Sequence, residues 1–325
     1  MNHDTIPLGH ARPIIELDAI DRDQWLDARR AGIGGSDAAA ICGLDDYRSA
    51  FEVWLDKTGV LVDDTAGEAA AWGAAIEPLV ADAMATRETI GLVEVPWMLA
   101  HPERPWMLAN IDRVAIDPRR DGPGVGECKT TSVFRAAEWR EAVPAGAMCQ
   151  AQHYMAVTGF EWAIIGTLLG GQRLVINRVE RDDALIDHLV ALEERFWDHV
   201  TRRDPPGPDG SRSTAALLGR LYEVEVDRVE TVHRAEVADV LAALSHARAR
   251  QNAAEDDRRR AEAELKVLMG PAELLVDVEG DVIARWPQVK SDRIDVAALR
   301  RDHPTLAAQY SRTTTSRRFT TPPRS

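Results

Sequence analysis

Between residues 68 and 201 the spacing of apolar and polar positions changes several times. From Glu68 to Met84 apolar side chains recur at helical intervals, with Trp72, Ile76, Leu79 and Ala83 on one stripe, which predicts a helix. Pro78 inside that run predicts a kink or a fresh helix start, because its ring lacks a donor and crowds the preceding turn. Residues 106–116 and 125–131 read as two strands around the turn-rich stretch Asp117–Gly124. Pro144 to Thr158 reads as a helix, with proline near its start and Gly159 past its end. The apolar runs Trp162–Leu169 and Arg173–Val179 meet at Gly170-Gly171, a hairpin signal. Asp182 to Thr201 then forms an amphipathic pattern on Leu185, Leu189, Leu192, Phe196 and Val200.

After Asp204-Pro205-Pro206-Gly207-Pro208-Asp209-Gly210, which sustains neither helix nor strand, the pattern changes. Val232 to Met269 is a long helical stretch rich in Ala, Arg and Glu, fitted to a hairpin arm or coiled coil rather than to a core. Gly270-Pro271 stops it, residues 273–289 resemble a short β-hairpin around Glu279-Gly280, and Ser311–Arg318 is a small basic tail. Eight of the nine tryptophans precede residue 200, which places the main core in the N-terminal part. The expected organisation is a first domain over 1–203, a linker over 204–210, and a helical and β-hairpin extension over 211–325.

Composition narrows the function classes. Hydrophobic residues at 45% supply a sizeable core and argue against wholesale disorder. Lys+Arg total 39 against Asp+Glu 53, a net charge of −14, which excludes a uniformly basic nucleic-acid coat but not a local basic groove. The three cysteines, Cys42, Cys128 and Cys149, contain no CxxC pair. That excludes a disulfide scaffold and a four-cysteine zinc or iron–sulfur site, and it fits a reducing cytoplasm. No apolar run is long enough to span a membrane, and the first residues lack the basic start and apolar stretch of a secretory signal.

Candidate chemistry centres on Asp112, Glu127 and Lys129. Glu127 and Lys129 sit two apart on an expected strand, so both face one side while Cys128 faces the other. If the preceding strand pairs through the turn, Asp112 reaches the same side. Two carboxylates and the backbone carbonyl of Cys128 would offer hard oxygens to a divalent cation such as Mg2+, with Mn2+ as substitute. Lys129 would orient a nucleophile or offset phosphoryl charge. Taken alone, the spacing fits a half-exposed strand with a surface Glu–Lys pair better than a metal site. Gly32, Gly34 and Gly35 permit close backbone approach to an anion, and Ser36 could cap the helix that follows; no Walker A lysine follows them. Arg113, Arg119, Arg120, Lys129, Arg135 and Arg140 cluster in sequence around the site as a basic rim. His153 reads as structural, and Trp97 and Trp106 as core rather than base-stacking residues.

Several segments in order resemble the YqaJ-type phage recombinase nucleases, relatives of lambda exonuclease in the PD-(D/E)XK superfamily. They are Arg29–Ala38, Tyr47–Ala50, Trp54–Gly59, Trp72–Pro78, Leu108–Arg113, Gly126–Thr131 and Gln150–Gly159, spread over roughly residues 21–200. The ending Thr313–Phe319 also looks like tails of longer members. The resemblance implies an α/β fold, a central mixed sheet flanked by helices, with the C-terminal helical arm and small hairpin added to it. It implies a Mg2+-dependent exonuclease that digests linear double-stranded DNA from 5′ ends in phage-type recombination, in a bacterial or prophage cytoplasm. Asp112 and Glu127 match the metal-binding carboxylates, Lys129 the catalytic lysine, Glu77 the helical glutamate at the metal and Gln152 the helical glutamine lining the site. Arg29 and Ser36 match groups that hold the terminal 5′ phosphate, and Asn110 stands where lambda exonuclease has a serine in that role. A single-strand annealing protein and a homo-oligomer, a trimer by resemblance, are the implied partners. A catalytically silent DNA- or protein-binding module and an endonuclease of the same superfamily are the alternatives.

Overall fold

A computed structural model describes residues 6–45, 47–61, 67–222, 225, 228–313 and 318–321. The stretch Met1–Thr5, at the start of the segment read for a secretory signal, lies outside the described residues, as does Thr314–Arg317 of the basic tail. The chain divides into two compact units, Met1–Glu223 and Val224–Ser325.

The first unit runs β1 (Arg12–Glu16), α1 (Arg22–Arg30), α2 (Gly35–Ile41), α3 (Ala50–Lys57), α4 (Glu68–Glu88), β2 (Gly91–Glu94), β3 (Trp97–Ala100), β4 (Leu108–Ala109), β5 (Arg113–Ile116) and β6 (Gly124–Thr131). It continues with α5 (Ala136–Glu141), α6 (Ala145–Thr158), β7 (Trp162–Leu169), β8 (Arg173–Glu180), α7 (Asp183–Arg202) and α8 (Arg212–Leu221). Five strands form the main sheet in the order β2-β5-β6-β7-β8. Only β6 and β7 are parallel, so the sheet is mixed. Their parallel pairing requires a crossover, which contains α6. A smaller antiparallel sheet, β1-β3-β4, adjoins it in sequence.

Helices cover both faces of β7, which is why that strand is nearly continuous in apolar residues. Ala163 and Ile165 pack in one cluster with Ala151 and Met155 of α6. Trp162 and Ile164 pack in another with Met84 of α4. At Gly166 a Cβ would come within 2.9 Å of the Met84 sulfur, so the missing side chain lets α4 settle onto the sheet. All of the clusters of buried apolar residues among the described residues lie in this unit, as the tryptophan distribution implies.

Several expected details differ. α4 passes through Pro78 as one helix. Its buried stripe is Val80, Ala81 and Met84, whereas Trp72 is 61% and Leu79 67% exposed. Glu77 lies three residues before Val80, on the side of α4 that turns toward the sheet. In α7 the buried positions are Ile186, Leu189, Glu193, Phe196 and Val200. A buried glutamate thus replaces the expected Leu192, because His153 supplies its partner. The single strand expected over 106–116 is two, with Asn110, Ile111 and Asp112 between β4 and β5. Ser36 does not cap α2: Gly34 is the N-cap, and the Asp37 carboxylate accepts the Gly34 N–H at 3.0 Å.

The unit also extends past the expected edge at 203. Leu217 of α8 is fully buried with Val53, Phe196 and Val200, which ties residues 212–221 to the first core rather than to the extension. The second unit contains α9 (Ala238–Met269), a hairpin of β9 (Leu274–Val276) and β10 (Val282–Arg285) with Gly280 at φ +93°, then α10 (Val296–Asp302) and α11 (Pro304–Gln309). Along α9, Arg258 pairs with Glu255 and Glu262, the helical-interval pairing that suits an exposed helix. Among the described residues no helix is long and apolar enough to cross a membrane.

Candidate active site

The main sheet opens where β5 begins. Pairing between β5 and β6 covers only Arg113 with Gly126, Val114 with Val125 and Ala115 with Gly124. β6 continues beside β7 as far as Thr131, so Glu127 and the residues after it have no β5 partner. The backbone N–H of Cys128, left without a ladder acceptor, donates to Asp112 Oδ2 at 2.8 Å. That bond fixes the carboxylate of Asp112 beside β6.

Strand alternation then sorts the rest. Cys128 packs toward the Met84 cluster, while Glu127 and Lys129 face α6. Lys129 Nζ lies 2.6 Å from Glu127 Oε1 and 2.8 Å from Gln150 Oε1. The Gln150 amide donates to Glu127 Oε1 at 2.8 Å and to the Tyr154 hydroxyl at 3.1 Å. At Gly35 of α2 a Cβ would meet the Tyr154 ring at 2.5 Å, so a glycine is needed for α2 to reach α6 here. Glu77, from α4, accepts from Arg113 Nη1 at 2.7 Å. These groups line one pocket of about 500 Å3 that includes Arg29, Glu77, Asp112, Glu127, Lys129 and Gln150.

Three acids converge with incomplete compensation. Burial, then Glu127 and Glu77, push the Asp112 carboxyl up to about 8. Burial also raises Glu127, against the opposing pull of Lys129. Burial works against the Lys129 ammonium, but Glu127 and Asp112 outweigh it and raise its pKa. The second oxygen of Glu127, Oε2, is buried with no hydrogen-bond partner. Among the described residues no group of three or more His, Cys, Asp or Glu side chains is arranged to hold a metal ion. The groups here that could hold a cation are the carboxylates of Asp112 and Glu127 and the backbone carbonyl of Cys128. An unpartnered carboxylate oxygen beside a carboxyl whose ionisation is disfavoured fits a hard divalent cation that keeps several of its waters.

Gln152 is not in this pocket. Its amide donates to the Glu180 carbonyl at 2.8 Å and accepts from the Asp182 N–H at 3.0 Å, tying α6 to the start of α7. Gln150, two residues earlier, occupies the position expected of it. The helical spacing of Gln150 and Tyr154 was a signal for this, since both lie on one face, with Gln152 about 160° away from Gln150. The expected basic rim is also redistributed. Arg113 turns to Glu77, while Arg119 pairs with Asp117 and Arg120 with Glu180 on the turn before β6. Arg135 remains beside Lys129, lining a neighbouring cleft of about 270 Å3.

Arg29, Ser36 and Asn110 do come together, in an adjoining pocket of about 160 Å3 that shares Arg29 and Tyr154 with the first. Arg29 Nη2 donates to Ser36 Oγ at 2.6 Å, and its guanidinium lies 5.3 Å from the centroid of the Trp25 ring. Asn110 Oδ1 is buried without a partner. Tyr154, Trp25 and the residues that surround Arg29 are absent from the sequence-based site, because they are scattered over elements that only the fold assembles.

The profile of the YqaJ-like viral recombinase domain matches residues 24–161. The chain is 34% identical over 313 residues to the uncharacterized protein YqaJ of Bacillus subtilis strain 168, covering 92% of this chain and 94% of that one. Among solved structures it is similar to LHK-Exo in complex with dAMP, at 20% identity and a TM-score of 0.48, over 56% of this chain and 94% of that chain. LHK-Exo is described as an alkaline exonuclease from Laribacter hongkongensis. A phage related exonuclease from Haemophilus somnus 129PT matches at 14% identity and a TM-score of 0.41, over 53% of this chain and 96% of that chain.

Proposed function

Because this chain belongs to the YqaJ-like viral recombinase family, we propose that it is a metal-dependent nuclease that hydrolyses DNA phosphodiesters, acting on linear duplexes from 5′-phosphate ends. The observation that carries this reading is the convergence of Asp112, Glu127 and Lys129 at the opening between β5 and β6. Asp112, Glu127 and the Cys128 carbonyl would hold Mg2+, for which Mn2+ would substitute. The bound ion would supply an activated water and polarise the scissile phosphate.

The chain's own groups do the positioning. Lys129 has three ammonium protons, of which Glu127 and Gln150 engage two. The third is free for an attacking water or a phosphoryl oxygen, where a fixed cation lowers the cost of growing negative charge. Gln150 holds Lys129 and Glu127 together and is itself fixed by Tyr154. Glu77 adds negative charge to the cation site while Arg113 anchors it. The neighbouring pocket of Arg29, Ser36 and Asn110 suits a terminal phosphate, because a guanidinium supplies paired donors to phosphate oxygens. Its position beside the carboxylates supports cleavage near a strand end.

The test is nucleotide release from linear duplex DNA in the presence of Mg2+. The expected result is release that EDTA abolishes and that Lys129→Ala lowers by roughly 10²- to 10⁴-fold. Covalently closed circles are expected to stay intact. Nicking of such circles would assign internal cleavage instead, and equal behaviour of wild type and Lys129→Ala would remove the hydrolytic reading.

A further inference from the structure

Behind Arg29 lies a cluster of charges out of proportion to a structural role. Asp37 is fully buried, and its carboxylate receives Lys57 Nζ at 2.7 Å, Arg48 Nη1 at 2.5 Å and Arg29 Nη2 at 3.4 Å. It also accepts the Gly34 N–H at 3.0 Å. The Lys57 side chain is itself wholly buried, and its ammonium donates to the backbone carbonyl of Arg29 at 2.9 Å. Arg48 continues to Asp56 at 2.8 Å. Three cations thus converge on one carboxylate, and Asp37 holds Arg29, Arg48 and Lys57 in a single network.

Burying a lysine costs several kcal/mol, which apolar side chains of similar volume would avoid. What the arrangement supplies is a fixed Arg29. Lys57 holds its backbone, Ser36 and Asp37 both hold the Nη2 end of its guanidinium, and Trp25 covers its face. A guanidinium held before the ligand arrives loses little rotamer entropy on binding. We infer that Lys57 and Asp37 are positioning residues that set Arg29 for a terminal phosphate, and that preference for phosphate-ended over hydroxyl-ended strands depends on them. The inference rests on reading the Arg29 pocket as the seat of the strand end.

The test compares linear duplexes with 5′-phosphate and 5′-hydroxyl ends. It uses wild type, Lys57→Met, Arg29→Ala and the double variant, reading both kcat and KM and, independently of cleavage, binding by fluorescence anisotropy in Ca2+. Methionine keeps the packing of the lysine stem and removes the charge. The expected result is a wild-type preference for phosphate ends that Lys57→Met lowers by about tenfold, chiefly in KM and in binding. Adding Lys57→Met to Arg29→Ala is expected to change the preference no further, and Lys57→Arg to restore part of it. Should Lys57→Met fold poorly, Arg48→Gln, at a partly exposed position, is expected to lower the preference in the same direction. Full retention of the preference in Lys57→Met or Arg48→Gln, with only a lower melting temperature, would overturn the inference. A wild type that cleaves and binds both ends equally would overturn it together with the end-pocket reading. Absence of cleavage with phosphate-selective binding intact would instead sink the hydrolytic reading alone, and the binding arm would decide the role of Lys57.

Discussion

Gln150 and Gln152 lie two residues apart on α6 and have unrelated partners, which makes them a controlled comparison at the scale of single side chains. Gln150 holds the ammonium of Lys129 and the carboxylate of Glu127. Gln152 holds the Glu180 carbonyl and the Asp182 N–H, both backbone groups, and its amide also reaches the Met148 sulfur. Gln150→Ala is therefore expected to lower turnover by about 10- to 100-fold with little effect on melting temperature. Gln152→Ala is expected to leave turnover near wild type and to destabilise the fold by about 1 kcal/mol, since it removes two hydrogen bonds to partly buried backbone groups. Rates on linear duplex together with urea unfolding would show the split, and loss of turnover in both variants would contradict it. At this scale the sequence made the acids and the lysine legible, because strand alternation fixes which of 127, 128 and 129 share a face. It did not separate two glutamines on one helix, because that needs the direction from which β6 approaches α6. Nor did it place Asp37 with Arg48 and Lys57, which meet only after α2 and α3 fold against each other.

His153, on α6, joins three elements at once. Its Nδ1 lies 2.8 Å from Glu193 of α7, and its Nε2 lies 2.9 Å from the carbonyl of Leu108 in β4. The carbonyl can only accept, so Nε2 carries a proton, and a charged ring satisfies both bonds. Burial opposes that charge, but Glu193 and the carbonyl outweigh it and hold the folded-state pKa above the ordinary value. A raised value means that the charged pair adds stability in full below about pH 6.5, the unfolded value, and loses it as pH rises through the folded one. Glu193→Gln, which removes the carboxylate but not its shape, is expected to cost about 3 kcal/mol at pH 6 and less at higher pH. Urea unfolding of both proteins from pH 6 to 10 would test this, and a gap that widens with pH would refute it. Helices α6 and α7 and the hairpin of β7 and β8 were readable from periodicity and glycines alone. The buried face of α7 was not, because apolar patterning cannot show that a glutamate is buried when its partner lies forty residues away in α6. The same holds for α4, where the sheet covers Val80 and Met84 and leaves the larger Trp72 and Leu79 outside.

For the molecule as a whole, the break in the chain after residue 203 is a weaker boundary than its prolines and glycines suggest. α8 begins after them with Ser211 as its N-cap, and its Leu217 completes the cluster formed by α3 and α7. Removing a fully buried leucine that closes such a cluster costs about 2–5 kcal/mol by itself, and removing the helix also exposes Val53 and Phe196. Two shortened chains distinguish this boundary from the one marked by composition. A chain ending at Tyr222 keeps α8 and is expected to unfold cooperatively, with a melting temperature within a few degrees of the first transition of the full chain. A chain ending at Asp204 retains all of the carboxylates and Lys129, yet is expected to melt at least about 5 °C lower. Calorimetry on the two would decide, and equal stability would mean that α8 contributes nothing to the first unit. Cleavage by the chain ending at Tyr222 would further localise the whole of the proposed chemistry to this unit. Full activity there with reduced processivity would assign the second unit to holding the substrate rather than to cutting it.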